Sequence, residues 1–263
     1  MKNYENKTDR RKTRRLFLIK ELLSEQPQYR GIQFPQSEAE QRRLLRSLMN
    51  VRHPKEIGDD FFAVQDEYLQ SVTAHKGITD IADLEQIEDG IYLWQGDITT
   101  LRCDAIVNAA NSGMTGCYYP CHGCIDNAIH TYAGIQLRLE CAKIMERQGY
   151  AEPTGKAKIT KAYNLPCKYV LHTVGPIIGG RVTKEDEELL ASCYSSCLEL
   201  ARENGVKSVA FCCISTGEFH FPNDRAAEIA VQTVRDCKGD IEVIFNVFKD
   251  TDYEIYRRLL RAN

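Results

Sequence analysis

Apolar residues follow two different spacings along the chain. Up to about residue 85 they recur three and four positions apart, as in RRLFLIKELL near the N-terminus, which is typical of amphipathic helices. Ser37 and Glu40 form a capping-box pattern directly before RRLLRSLM, and DDFFAVQDEYLQSV predicts a third helix. No strand is predicted in this part, so residues 1–86 are expected to form an N-terminal helical extension.

From Ile91 onward, short apolar runs alternate with longer amphipathic segments. The runs predict strands at IYLWQ, DAIVNA, KYVLHTV, SVAFCCIS and IEVIFNVF. Helices are predicted between and after them, at 125–148, 185–204, 223–237 and 250–262. This alternation predicts an α/β sandwich with a largely parallel central sheet over residues 87–263.

Composition and charge narrow the class of protein. The 263 residues are 43% hydrophobic, which is enough to bury a full core, and the longest apolar run near the N-terminus, LFLI, is too short for a membrane span. A formal net charge of −3 gives no long-range attraction to nucleic acid. Eleven cysteines, an odd number at core-like positions, indicate thiols in a reducing compartment. We therefore expect a soluble cytoplasmic protein that binds neither nucleic acid nor membranes.

Four unusual segments follow predicted strands, where ligands bind in parallel sheets. One of them, LHTVGP at 171–176, is expected to be a strand end and a turn. Gly96 and Asp97 follow the first strand, and a carboxylate there can accept a hydrogen bond from an amino group such as that of adenine. Asn108 and Asn111 follow the second, in a loop of small residues that can approach a sugar closely. Residues 215–219 lead directly into a helix, whose N–H groups can bind a diphosphate. Each segment alone is also typical of an ordinary turn or connection.

Residues 117–124, CYYPCHGC, carry three cysteines and a histidine, and several kinds of site fit them. Cys117, Cys121 and Cys124 have the spacing of an iron–sulfur site. Cys121 and Cys124 form a thiol redox pair just before a predicted helix, whose N-terminus lowers a thiol pKa. Cys117, His122 and Cys124 provide three zinc ligands and leave a fourth position open, as in catalytic sites. Adding Cys121 as a fourth ligand would give a closed structural zinc site.

The segments GDIT, NAAN, HTVGP and ISTGEFHFP, in this order and spacing, resemble the macrodomain family, which binds ADP-ribose, over about residues 88–263. The stretch GCYYPCHGCIDNAIH and the helical segment before it are similar to the zinc-dependent branch of that family, whose members hydrolyse ADP-ribose from modified protein carboxylates. The resemblance implies a three-layer α/β/α macrodomain with a mixed, largely parallel sheet. It also implies one zinc ion per chain, held by Cys117, His122 and Cys124, with Cys121 outside the ligand set.

The resemblance further implies how ADP-ribose is held. Asp97 is expected to bind the adenine, with Ile98 beside it. Asn111 and the backbone near Ile125 are expected to position the distal ribose beside the metal. The loop after the fourth strand is expected to carry the diphosphate and distal ribose, through Ser215, Thr216, Gly217, Glu218 and Phe219.

Two residues are candidates for the chemistry, and they also belong to the expected ligand site. Asp126, two positions after the ligand Cys124, is the candidate for orienting or deprotonating a water molecule, with Asn111 positioning the ribose. An acidic residue in the first turn of a helix is also favoured by the helix dipole without any catalytic role. His130, His172 and His220 are expected to be hydrogen-bonded structural histidines.

The expected activity is a zinc-dependent, glycosidase-type removal of mono-ADP-ribose from protein side chains, as Asp/Glu esters. A reader that binds ADP-ribose without turnover and a hydrolase of small ADP-ribose esters are the alternatives. The resemblance points to a target similar to a lipoyl-carrier protein, modified by a partner ADP-ribosyltransferase. The helical extension is expected to supply stability or target contacts and to take no part in the ADP-ribose chemistry.

Overall fold

The computed structural model describes residues 2–261, with side chains described from residue 9 onward. Within this range the chain contains eight α-helices and nine strands. The helices are α1 (Lys2–Ser24), α2 (Glu38–Val51), α3 (Asp59–Lys76), α4 (Ile125–Ala133), α5 (Ile135–Gln148), α6 (Lys184–Glu203), α7 (Asn223–Cys237) and α8 (Asp250–Arg261). The strands are β1 (Thr79–Asp80), β2 (Gln86–Glu88), β3 (Ile91–Gln95), β4 (Leu101–Arg102), β5 (Ala105–Ala109), β6 (Ala157–Lys161), β7 (Tyr169–Thr173), β8 (Ser208–Phe211) and β9 (Glu242–Val247).

Seven strands form the central sheet, in the order β2-β3-β9-β8-β5-β7-β6. The five inner strands are parallel to one another, with Ile91 opposite Val243 and Ala105 opposite Tyr169. β2 and β6 pair antiparallel at the two edges, so the sheet is mixed and largely parallel, as predicted. Since the inner strands share one direction, their carboxyl ends lie along a single edge of the sheet.

Helices cover the sheet in the expected three-layer α/β/α arrangement. α6, α7 and α8 pack side by side, while α4 and α5 pack against β5 and β6 and also contact the N-terminal helices. The inner strands β5, β7, β8 and β9 bury runs of consecutive residues, as expected for strands covered on both faces. The ring of Phe211 in β8 lies with its centroid 4.9 Å from that of Tyr194 in α6. Within residues 2–261, no helix is both long enough and apolar enough to cross a bilayer.

The first three helices form a helical unit with a core of its own. Ser37 caps α2, its hydroxyl accepting from the Glu40 amide at 3.3 Å, so the capping residue predicted from the sequence is confirmed. Helix side chains that face each other fill this second core, including Leu18, Leu22, Leu45, Leu48, Phe61 and Leu69. Ile135 of α5 joins the same cluster, which ties the helical unit to the rest of the protein.

Three local predictions are wrong. The single helix expected over 125–148 is two helices, because Gly134 adopts a φ of 98°, which interrupts the helix and is accessible mainly to glycine. β6 was not predicted, since its short sequence AKITK contains two lysines and only one buried residue. The N-terminal part is not free of strands, because Thr79–Asp80 pairs with β4 in a small two-stranded sheet.

Candidate functional site

The predicted binding residues come together at the carboxyl edge of the sheet. Asp97 follows β3, Asn111 follows β5, and the loop 212–222 follows β8. These strands are parallel members of one sheet, and loops that follow parallel strands line a common crevice. The segment 111–124, between β5 and α4, lies at the same edge and carries the cysteine-rich stretch.

Asp97 is held rigidly at one end of this edge. Its Oδ1 accepts from the amide and the hydroxyl of Thr99, at 3.0 and 2.6 Å, as the cap of a 3-10 turn. Burial alone would raise the pKa of Asp97, but the Thr99 hydrogen bonds and the Lys76 ammonium lower it below its usual range. A carboxylate kept ionised can accept from an adenine amino group. The Ile98 side chain is buried, so only its backbone can reach a ligand.

Lys76, at the end of α3, contacts Asp97 from the helical unit. Its Nζ lies 2.9 Å from Asp97 Oδ2 and 3.4 Å from the centroid of the Tyr132 ring. The helical unit therefore contacts the end of the site where adenine is expected to bind. This contact was not predicted from the sequence. The residues concerned are far apart in the sequence, so no local pattern could have indicated this contact.

Phe248 is a second residue that the sequence reasoning missed. It directly follows β9 and is 76% exposed, although it is a large aromatic side chain. The neighbouring Val247 carbonyl accepts from the amide of Gly96, so Phe248 lies beside the Gly96–Asp97 turn. A Cβ on Gly96 would lie 2.3 Å from the Trp94 ring, so this turn requires glycine. The sequence feature that could have indicated a ligand contact here is an aromatic residue immediately after a buried parallel strand.

The loop after β8 is compact at its start and open at its tip. Ser215 is buried with a φ of 65°, and a Cβ on Gly175 would lie 2.0 Å from its Oγ, so the two loops pack closely. The carbonyl of Phe219 accepts from the Ile178 amide at 2.8 Å. Thr216 bonds the Cys213 carbonyl, while Gly217 and Glu218 are exposed. α7 starts directly afterwards without a side-chain cap, which leaves its first N–H groups available to an anion.

Cys117, His122 and Cys124 converge, with their ligand atoms within 4.8 Å of one another. Cys117 Sγ lies 3.7 Å from His122 Nδ1. Ideal tetrahedral zinc, with its usual bond lengths to sulfur and nitrogen, separates such atoms by about 3.6 Å. The donor set and spacing therefore fit one zinc ion with little movement.

The electrostatics of the three ligands favour a bound cation. Burial, together with the nearby Cys117 and Asp126, raises the pKa of the Cys124 thiol to about 12, even though its sulfur accepts from the Asn127 amide at the start of α4. Two thiolates at this position require a neighbouring positive charge. The Glu218 carboxylate lies 3.5 Å from His122 Nε2, and Nδ1 faces the Cys117 sulfur. A carboxylate on the far nitrogen of a metal-binding histidine fixes the orientation of its ring.

Cys121 does not belong to this cluster. Its Sγ lies 3.2 Å from the Ser47 hydroxyl and bonds the Arg43 carbonyl at 3.4 Å, both on α2. All eleven cysteines are free thiols, Cys121 and Cys124 included. The arrangement therefore resembles the open three-ligand site more than the iron–sulfur, redox or closed zinc alternatives.

Asp126 and Asn111 lie together next to the ligand cluster. Asp126 is 5% exposed, and its oxygens accept from Asn108 Nδ2 at 2.8 Å and from Asn111 Nδ2 at 3.3 Å. Burial raises the pKa of Asp126 to about 6, against the opposite effects of Asn108, Arg138 and Asn111. A carboxylate with a pKa near neutrality suits a general base. Ile125, its neighbour, is the first residue of α4.

A second cluster, His130, Cys141 and His172, is fully buried behind Asp126. Asn108 Nδ2 donates to His172 Nδ1, so Nε2 carries the proton and donates to Thr160 Oγ1 at 2.9 Å. This donor cannot bind a metal, and His172 is the structural histidine that was predicted. The prediction was wrong for His130, because neither of its ring nitrogens has a hydrogen-bond partner.

Comparison with known proteins agrees with this architecture. The family model "Macro domain" matches residues 107–230. A protein-ADP-ribose hydrolase from Treponema medium is 59% identical over 257 residues, covering 95% of this chain and 98% of that protein. A protein-ADP-ribose hydrolase from Staphylococcus aureus (strain Mu50 / ATCC 700699) is 49% identical over 258 residues, covering 96% and 97%.

Solved structures show the same fold. A mutant Oceanobacillus iheyensis macrodomain with ADPR has a TM-score of 0.61 and 36% identity, over 68% of this chain and 96% of that chain. The Trypanosoma brucei macrodomain in complex with ADP-ribose has a TM-score of 0.62 and 29% identity, over 86% and 97%. Since one relative is 59% identical over nearly the whole of both chains, this protein belongs to the macrodomain family.

Proposed function

We propose that this protein is a zinc-dependent hydrolase that removes mono-ADP-ribose from modified protein side chains, as Asp/Glu esters. The observation that carries the proposal is the convergence of Cys117, His122 and Cys124 beside the Asp126 carboxylate. A module that only reads ADP-ribose does not need an open three-ligand metal site. Relatives at 49–59% identity named protein-ADP-ribose hydrolase support the same activity.

ADP-ribose is oriented along the carboxyl edge of the sheet. The ionised Asp97 accepts from the adenine amino group, and the exposed Phe248 ring stacks against the base. The N–H groups at the start of α7 and in the loop 215–219 bind the diphosphate. This orientation directs the distal ribose toward Asn111 and the metal ligands.

At the reacting end, Asp126 and Asn111 act on the substrate and on water. Zinc held by the three ligands would polarise a ribose hydroxyl or ester oxygen, or lower the pKa of a bound water toward ~7. Asp126 is the residue that takes the proton from water, since its pKa of about 6 keeps it mostly ionised at neutral pH. Asn111 Nδ2 donates to Asp126 and to the Gly116 carbonyl, and its Oδ1 accepts from the Gly113 amide. The second lone pair of Oδ1 accepts a hydrogen bond from a ribose hydroxyl.

The experiment uses a protein ADP-ribosylated on glutamate, incubated with the purified protein before and after treatment with a chelator. We expect ADP-ribose to be released, release to stop after chelation, and zinc to restore it. Cys121→Ser is the matched control and should remain active, since Cys121 lies outside the ligand cluster. Binding of ADP-ribose without release from any substrate would support the reader instead. Release only from small ADP-ribose esters would support the other alternative.

The target protein is a further part of this proposal. A lipoyl-carrier-like protein modified by a partner ADP-ribosyltransferase is the substrate we would test first, at cytoplasmic pH. An equally modified unrelated protein is the comparison. A preference of less than about threefold in kcat/KM would mean that the enzyme does not recognise the carrier.

A further inference from the structure

The segment 115–124, here called the metal loop, has little regular structure of its own. It lies in the connection from β5 to α4. Within it, the His122 amide donates to the Tyr119 carbonyl at 3.2 Å. Gly116 and Cys121 have positive φ values of 85° and 54°. A left-handed conformation is unfavourable for cysteine, so it persists only when surrounding contacts fix it.

Arg46 of α2 binds the metal loop at the carbonyl of a ligand residue. Its Nη2 donates to the His122 carbonyl at 2.9 Å and to Asn127 Oδ1 at 2.7 Å. Asn127 in turn donates from Nδ2 to the Tyr119 carbonyl at 3.0 Å. A planar guanidinium with several fixed donors is suited to holding two acceptors at a set separation.

Asn50, one turn further along α2, holds the left-handed residue. Its Oδ1 accepts from the Cys121 amide at 2.9 Å, and its Nδ2 donates to Thr131 Oγ1 at 2.9 Å. Asn50 is 1% exposed, so both of its polar atoms depend on these partners. Residues four apart lie on the same helix face, so Arg46 and Asn50 contact the metal loop from one side.

Arg138 of α5 joins the loop to the end of α2. Its guanidinium donates to the Thr115 and Cys117 carbonyls at 2.7 and 3.3 Å. The same group donates to the carbonyls of Asn50 and Arg52, each at 2.7 Å. A buried cation that binds the last carbonyls of a helix is favoured by the helix dipole, so the end of α2 and the start of the loop share one anchor.

We propose that α2 is a positioning element of the metal site, with Arg46 and Asn50 as positioning residues. They fix the backbone at residues 121 and 122, so that the side chains of Cys117, His122 and Cys124 face one another. The identity of the ion rests on the proposed function above, whereas the shape of the loop rests on these contacts alone. The helical unit thus has a role in the site besides stability or target contacts.

Two measurements on the full chain test the proposal, with Arg46→Met, Asn50→Ala and the control Arg42→Met. Arg42 lies one turn before Arg46 on the same helix, is exposed, and pairs with Glu38 instead of bonding the metal loop. The first measurement is hydrogen exchange of peptides from the metal loop in chelator-treated protein. Both test variants should exchange these amides faster, while peptides from β8 and α7 remain as in wild type. The second is zinc affinity, by competition with a chromophoric chelator.

Loss of a residue that orients a metal ligand typically weakens metal binding about 10–100-fold. We expect a loss in this range for Arg46→Met and Asn50→Ala. Arg42→Met should bind zinc as wild type does. Arg46→Lys keeps one donor and should recover part of the affinity. Wild-type exchange of the metal loop and wild-type zinc affinity in both folded test variants would overturn the proposal. Should Arg46→Met fail to fold, Asn50→Ala decides by the same measurements.

The outcome separates this proposal from the proposed function. If wild-type protein binds no zinc, the zinc-dependent hydrolase is wrong, and exchange of the metal loop in the metal-free protein still decides the role of α2. If zinc binds and is released by chelators but exchange and affinity do not depend on Arg46 and Asn50, the hydrolase stands and the positioning role fails.

Discussion

Acidification from pH 7.5 to 5 should destabilise the metal-free protein through two buried histidines. His130 and His172 lie with ring centroids 6.0 Å apart beneath the site, and both are buried. Burial lowers the pKa of His172 to about 3. Burial, then the repulsion that a protonated His172 would exert and the charge of Arg138, lower the pKa of His130 well below its usual range. Both imidazoles are therefore neutral in the folded protein throughout this pH range.

The sign follows from proton uptake by the unfolded chain. Unfolded histidines titrate near pH 6.5, so below that pH the unfolded state binds protons that the folded state does not. Stability is complete above pH 6.5, and each histidine then removes about 1.4 kcal/mol per pH unit, or about 4 kcal/mol for the pair at pH 5. Asp126 acts in the opposite direction. Its raised pKa of about 6 returns about 1.4 kcal/mol by pH 5.

The expected net loss is therefore about 3 kcal/mol, a large part of the 5–15 kcal/mol typical of a folded protein. Carboxylates with lowered pKa values, such as Asp97 and Asp104, act only at lower pH, because their stabilisation is lost below the unfolded pKa near 3.8. Urea unfolding followed by circular dichroism, in chelating buffer at several pH values, measures the slope. His130→Phe and His172→Gln should each reduce the loss by about 2 kcal/mol. His75→Gln, at an exposed position, should leave it unchanged.

An ion pair between His130 and Asp126 would give a different pH dependence of unfolding. His130 Nε2 lies 3.6 Å from Asp126 Oδ1, so the two could form an ion pair instead. We favour the neutral imidazole, because the Arg138 charge and full burial both oppose its protonation. If the pair were ionised, His130→Phe would lower stability at pH 7.5 and leave the slope unchanged. Stability that is constant or rises between pH 6.5 and 5 would refute the reasoning.

Four further predictions concern the site. Metal analysis should find close to one zinc per chain, retained in Cys121→Ser and lost when any of the three ligands is replaced, in Cys117→Ser, His122→Ala or Cys124→Ser. Asp97→Ala should weaken ADP-ribose binding by about one to two orders of magnitude, since a hydrogen bond to a charged group contributes about 1.5–3 kcal/mol, and should leave zinc content unchanged. Asp126→Ala should do the reverse, keeping affinity and losing turnover at saturation. Phe248→Ala should weaken ADP-ribose binding about tenfold through lost stacking on the base.

Zinc content, calorimetric titration with ADP-ribose and saturation kinetics separate these outcomes. Iron with sulfide, or zinc that persists in all three ligand variants, would contradict the metal assignment. Normal binding by Asp97→Ala would remove the adenine assignment, and normal binding by Phe248→Ala would show that the ring does not stack. Full turnover by Asp126→Ala would assign its carboxylate to the helix start alone.

Local signals in the sequence predicted most of the fold. The helix α7 was placed at its observed bounds, 223–237, because its sequence NDRAAEIAVQTVRD combines an apolar stripe with a clear start after Pro222. β3 was equally clear, since IYLWQ lies between turn residues. β6 was missed because an edge strand buries little and needs no apolar run. The break at Gly134 was visible as a glycine, but its φ depends on packing against the helical unit, where Gln65 bonds the next amide at 3.0 Å.

The candidate site, like the fold, was predicted only in part from the sequence. The candidate ligands Cys117, His122 and Cys124 are close in sequence, so their spacing was enough to group them. The pairing of Lys76 with Asp97 joins different elements, and the sequence has no pattern that specifies such contacts. The same holds for Arg46 and Asn127, which are 81 positions apart. Contacts of this kind depend on how the helical unit docks, which local propensity does not determine.

The strand order also determines when the protein can become functional during synthesis. The helical unit has its own core and mostly local contacts, so it can fold early. β3 lies between β2 and β9. Ile91 of β3 pairs with Val243 of β9, which is synthesised much later. Until β9 and α8 emerge, β3 lacks its parallel neighbour, and the turn that carries Asp97 lacks the Val247 carbonyl that anchors Gly96. A nascent chain halted before Glu242 should therefore contain a folded helical unit and no competent adenine site.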